Sequence, residues 1–170
     1  AAMDTLTMPA AYGSDPNGLI CGFLFAQGQP ARPISLDEAL ACLAEPPGAQ
    51  PRSFVWLHFN LADASAESWM RTHLALAPEF FEALREGSRT TRIEDAADHL
   101  VAVVNDVAFE FSFEPSEIAS LWMTFSERLA VSPRLHPLRS VDGLRRSVMS
   151  LSLIHIPRPT TPYYTLHPFF

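Results

Sequence analysis

Apolar positions along this chain change their period once, near residue 87, and the change separates two kinds of structure. Before it, apolar residues fall in short runs or at helical spacing; after it, they alternate with polar ones. The run from Leu19 to Gln27, bounded by Gly18 and Gly28, predicts a buried strand. "PISLDEALACLAE" then predicts a helix start, because Ser35 and Glu38 stand three apart as a capping box. Leu36, Leu40 and Leu43 share one face of that helix, which predicts packing on a sheet, and "EPPGAQP" ends it. "SFVWLHFNL", Ser53 to Leu61, is aromatic-rich and reads as a second, interior strand. Asp63 can cap a helix through "ASAESWMRTHL", with Trp69 and His73 one turn apart. "APEFFEALREG" predicts a third helix, with Pro78 in the first turn, Phe80, Phe81 and Leu84 inward, and Gly87 as its stop.

Beyond the change, "HLVAVVND" and "VAFEFSFE" read as extended. Val107, Phe109, Phe111 and Phe113 alternate with Ala108, Glu110, Ser112 and Glu114, so one face is apolar and the other wet. "IASLWMTF" and "RLAVSPR" predict a hairpin around Ser126–Glu127. Helices alternating with strands, then a run of antiparallel strands, give an α/β class: a mixed parallel and antiparallel sheet flanked by helices. Residues 1–17 are small and turn-rich and read as a flexible leader, and 18–137 form the α/β domain. Residues 138–149 open a charged helix, with Ser140 as its expected cap ahead of "VDGLRRSV". From Ser150 to Phe170 the chain holds four prolines, no Asp or Glu and one Arg, which predicts a tail foreign to the domain, unordered or loosely docked.

Composition narrows the function. A chain of 170 residues suffices for one domain with a sizeable core. A net charge of −7 argues against nucleic acid as a partner, since phosphate contacts need a basic surface. Cys21 and Cys42 lack metal or redox spacing and read as buried free thiols. No charged and apolar leader sequence is present, and no apolar run approaches the roughly 20 residues of a membrane helix. The sequence as it stands therefore reads as soluble and cytoplasmic.

No phosphate-cradling glycine loop, nucleophile elbow or zinc-protease motif occurs, which argues against the commonest enzyme classes and against an organic cofactor. Six histidines remain, of which His58, between Leu57 and Phe59, reads as a core or edge imidazole or, less simply, a metal ligand. A mixed site of His58, His73 and His99 is open to the chain, but nothing local demands it. "RIEDAAD" places Glu94, Asp95 and Asp98 within five residues, as candidate oxygen ligands for a hard divalent cation. A solvated edge with Arg89 and Arg92 as counter-charges explains the same residues. Glu110, Glu114 and Glu117 are weaker candidates for cation contact.

Three separated stretches resemble one family. "FVWLHFN" carries Trp56, His58 and Asn60; "FFEALREGSRTTRIEDAADHLVAVVND" has the form of a helix, an Arg-containing loop and a strand; "RLAVSPRLHPLRSVDGLRRSV" has a last strand leading to a helix. In their order and spacing these resemble the N-terminal cytoplasmic domain of CorA-type divalent metal-ion transporters, and within them the zinc-transporting ZntB branch. The resemblance implies an α/β/α sandwich in a funnel-shaped homopentamer that handles zinc or magnesium. It also implies a long stalk helix, begun at 138–149, leading into two membrane spans. Those spans and their Gly-Met-Asn triplet are absent here, so the resemblance makes the chain a piece cut before the membrane. It implies no enzymatic activity. Two rivals stand beside it: a free-standing small-molecule-binding or enzymatic α/β domain with a cleft near His58, and a module that only oligomerises.

Overall fold

The structure, a computed structural model, describes residues 14–46, 53–87, 90–107 and 118–151. Among the described residues, four helices and seven strands follow in the order β1 (Leu19–Ala26), β2 (Arg32–Pro33), α1 (Leu36–Ala44), β3 (Ser53–Asn60), α2 (Ala64–His73), α3 (Pro78–Glu86), β4 (Arg92–Ala96), β5 (His99–Val107), β6 (Ile118–Phe125), β7 (Leu129–Arg134) and α4 (Arg139–Leu151). All seven strands form one sheet, ordered β2-β1-β3-β7-β6-β5-β4. Of its pairs only β3–β7 is parallel, so the sheet is mixed, as the alternation of elements predicts.

Period-2 alternation splits each strand between two layers. Val55, Leu57 and Phe59 of β3 face α1, α2 and α3, with Val101, Val103, Trp122, Leu129 and Val131 beside them. Leu57 and Phe59 are fully buried, and each such side chain contributes about 2 kcal/mol. Phe80 and Phe81 of α3 close this layer, edge to face at 5.3 Å. Trp122 fixes α3 to the sheet by donating its indole N–H to the Ala83 carbonyl at 3.0 Å. The opposite face carries Phe23, Trp56, Leu121 and Ala130, covered by Leu138, which immediately precedes α4, and by Val141 and Val148 of α4.

Local signals act where the sequence puts them. The Ser35 hydroxyl accepts from the Glu38 amide at 3.2 Å, and the Glu38 carboxylate accepts from the Ser35 amide at 2.9 Å. Asp63 accepts from the Ser65 amide at 3.0 Å and starts α2. Gly87 closes α3 in the left-handed conformation, at φ 58°.

At the C-terminal end of α1 no basic residue lies in the last turn. Arg128, from the β6–β7 turn, supplies one: its Nη1 donates to the Glu45 carbonyl at 2.6 Å and its Nη2 to the Cys42 carbonyl at 2.5 Å. One guanidinium thus satisfies two orphan carbonyls and opposes the negative end of the helix. Arg128→Ala is expected to lower the unfolding free energy by about 2 kcal/mol. Arg128→Lys should recover only part of it, because a single ammonium lacks the planar fork that spans both oxygens. Urea midpoints check this, and an unchanged midpoint for the alanine variant would refute the tie.

The last helix departs from the expected form. It reaches Leu151, past the expected end at 149, and the Asp142 amide donates to the Leu138 carbonyl at 3.2 Å, so the helix begins ahead of Ser140. Ser140 therefore lies inside the first turn and is not the cap. Nor does α4 stand free. Val141 and Val148, together with Leu138 just ahead of the helix, are buried on the sheet, which supplies the stability that a short isolated helix lacks. Residues 14–17, which the sequence assigns to the leader, are tied to β1: Asp15 Oδ1 accepts from the Asn17 and Leu19 amides at 2.9 and 2.8 Å. Residues 1–13, the Phe109–Phe113 alternation and the tail from 152 on lie outside the described residues.

Candidate functional site

The acidic candidates sit at the edge of the sheet. Glu94 and Asp95 belong to β4, and Asp98 to the turn that joins it to β5; all three are exposed. Adjacent strand residues point to opposite faces, so Glu94 and Asp95 diverge. Glu94 lies on the same side as Arg92, whose Nε is 3.4 Å from Glu94 Oε1 and whose Nη2 is 3.2 Å from Glu86 Oε2. Arg92 thus provides the counter-charge that the sequence allows. Among the described residues, no group of three or more His, Cys, Asp or Glu side chains is placed to hold a metal ion. A cation at this edge would meet one or two carboxylates of a single chain and would keep most of its water. Glu110, Glu114, Glu117 and Arg89 lie outside the described residues.

His58 occupies a different environment, on the α4 side of the sheet. In register it stands opposite Cys21 of β1 and opposite Ser132 of β7, so Cys21, His58 and Ser132 form a row across three strands. The imidazole is 2% exposed. Its Nδ1–H donates to the Ser132 carbonyl and lies 2.9 Å from Ser132 Oγ, which also accepts from Trp56 Nε1 at 2.7 Å. Burial, with help from Arg134 and Arg145, pushes the His58 pKa down to about 4. Burial likewise raises the Cys21 thiol to about 11, so it is not a thiolate at neutral pH. Both cysteines are free thiols, as expected, but each is half-buried and not buried as the sequence predicts.

The histidines do not converge. His73, at the end of α2, stacks on Trp69 at 4.7 Å, its Nδ1 3.0 Å from the Trp69 carbonyl, while His99 opens β5. His58 is buried, and its ring is held as a neutral group. The residue that sequence reasoning left without a role is Ser132, the hub of the Trp56–His58 network. Its signal was the alternation that sets Trp56 and His58 on one face. The parallel β3–β7 register, joining residues more than seventy positions apart, was missing.

Among the described residues no helix is long and apolar enough to cross a membrane. Comparison with known proteins gives the chain its relatives. The divalent cation transporter CmaX of Pseudomonas aeruginosa is 27% identical over 138 residues, which are 81% of this chain and 40% of that protein. The solved structure of full-length CmaX superposes with a TM-score of 0.67 at 25% identity, over 81% of this chain and 41% of that one. The ZntB cytoplasmic domain of Vibrio parahaemolyticus shares the fold, with a TM-score of 0.58 at 12% identity, over 79% of this chain and 50% of that one. So does the CorA magnesium transporter of Methanocaldococcus jannaschii, at 0.55 and 9%, over 82% and 40%. The chain thus spans about two-fifths of the length of CmaX. Residues 51–170 match the family described as CorA-like Mg2+ transporter protein, and the chain belongs to that family.

Proposed function

We propose that this chain is the cytoplasmic, cation-sensing domain of a divalent metal-ion transporter. The observation that carries this reading is the match to a divalent cation transporter over 81% of the chain, combined with a non-enzymatic, transporter-related family. The acidic edge supplies the physical link. Glu94, Asp95 and Asp98, exposed on a chain of net charge −7, lower the local potential and gather divalent cations. When the cations leave, the carboxylates repel one another and any like-charged surface of an adjacent protomer. Occupancy then biases how the domains of a homo-oligomer, a pentamer in this reading, pack together. The Trp56-x-His58 strand supports a place near the ZntB branch, and zinc or magnesium is the cation to try first.

Calorimetric titration of the chain with zinc and with magnesium tests this reading. Saturable binding is expected, and the Glu94→Gln, Asp95→Asn, Asp98→Asn triple variant should weaken it about tenfold or more, since exposed carboxylates act mainly through charge. Equal binding by the triple variant would remove these residues from the reading. An absence of binding at millimolar metal would leave the assembly role alone.

A further inference from the structure

We propose that the junction of α4 with the sheet, at His58, Arg134 and Arg145, binds a small oxyanion that carries a hydroxyl, hydrogen phosphate above all. The junction lies apart from the acidic edge and does not depend on the cation reading. Arg145 is the first sign of it. On α4 it stands four residues after Val141 and three before Val148, so it belongs to the stripe that faces the sheet. It is half-buried there, and among the described residues it makes no ion pair or hydrogen bond. A guanidinium taken partly out of water without a partner is costly, and a bound anion offsets that cost.

Beneath Arg145 runs the row of Cys21, His58 and Ser132. Arg134 follows Ser132 on the same face of β7, in register with Asn60 and Leu121, and is half-buried as well. Both guanidiniums lie close enough to act on His58 and on Cys21, and at Cys21 each outweighs the nearby carboxylate of Asp142. The local charge is therefore positive on a chain of net charge −7. His58 selects the kind of anion. Its Nδ1–H is given to the Ser132 carbonyl, so in the neutral ring Nε2 holds a lone pair. That nitrogen makes no hydrogen bond. Among the described residues, the buried side-chain atoms left without one are Arg92 Nε and Thr124 Oγ1, so the small exposed part of the His58 ring includes Nε2. An acceptor beside two guanidiniums suits a ligand with charge on some oxygens and a proton on another. Hydrogen phosphate meets this: its O–H donates to Nε2, and its charged oxygens accept from Arg145 and Arg134. Sulfate has the same shape and charge but no proton to give.

Titration of the whole chain with phosphate, with the imidazole nitrogen signals followed by NMR, tests the site. EDTA is present throughout, so the outcome stands apart from cation sensing. A saturable shift of His58 Nε2 is expected by millimolar phosphate, with sulfate about tenfold weaker or more. Arg145→Gln should weaken phosphate binding about tenfold or more, through loss of a charge-assisted pair. Arg146→Gln, which removes an exposed charge one residue on, should leave it unchanged. Circular dichroism establishes that each variant is folded, and the comparison of phosphate with sulfate needs no variant. No saturable shift, or sulfate binding as tightly as phosphate, overturns the proposal. So does a folded Arg145→Gln chain that binds unchanged, or an equal loss in Arg146→Gln, which would mark a general attraction to the helix.

Discussion

Acidification from pH 6.5 toward 4 is expected to remove about 3 kcal/mol of stability through one side chain, His58. Its imidazole lies under the α4 side of the sheet, where burial is the first cost of a positive charge and the guanidinium of Arg134 the second. Hydrogen bonding to Ser132 works in the other direction but does not offset them. In the unfolded chain the ring takes up a proton near pH 6.5, and in the folded protein only near 4. Between those values the unfolded state binds more protons, so stability rises with pH. The contribution is complete above the upper value and lost as pH falls through the window. Urea midpoints measured across this range check it against His58→Gln, which keeps a polar group but cannot titrate. The variant should be less stable at neutral pH and nearly flat above pH 5, roughly where the carboxylates begin to protonate. An equal slope in both proteins would show that His58 is not the group responsible.

Gly18→Ala should cost about 3 kcal/mol, part from backbone conformation and part from overlap. Gly18 precedes β1 at φ 81°, in the left-handed region that a side chain disfavours. A Cβ placed there would lie 2.6 Å from the Ala66 Cβ of α2 and 3.3 Å from the Asn60 carbonyl. Neither neighbour can yield easily. Gly18 accepts from the Asn60 amide at 2.8 Å, which fixes the end of β3, and Ala66 is fully buried. Ala66→Gly made together with Gly18→Ala separates the two causes. It should restore the part due to overlap and leave the conformational part, about 1–2 kcal/mol. A single variant with an unchanged thermal midpoint would contradict both.

The same close approach shows what one sequence could and could not disclose. Gly18 is legible as the boundary of a strand, yet the residue that makes it necessary, Ala66, lies almost fifty positions on. Ser35 with Glu38, Asp63 and Gly87 were readable because a cap acts on amides and carbonyls within a few residues. The β6–β7 hairpin was readable for the same reason, since its strands are joined by a short turn. The two-residue β2 was not, because Arg32–Pro33 carries no strand pattern and pairs only where β1 offers an edge. His58 could be seen as a strand histidine. Its neutral state, and its separation from His73 and His99, depend on which strands flank β3.

By itself, then, the order of apolar and polar residues determined the kinds of element, most of their limits, the mixed α/β class and the acidic stretch at 94–98. It could do so because helix and strand periods, caps and turns are properties of neighbouring residues. Tertiary structure decided the rest. It set β3 parallel to β7, laid α4 on the sheet, joined Trp56 and His58 through Ser132, and left β4 exposed at an edge. These depend on contacts between distant segments, which form only when burial of both sheet faces selects one arrangement of the strands.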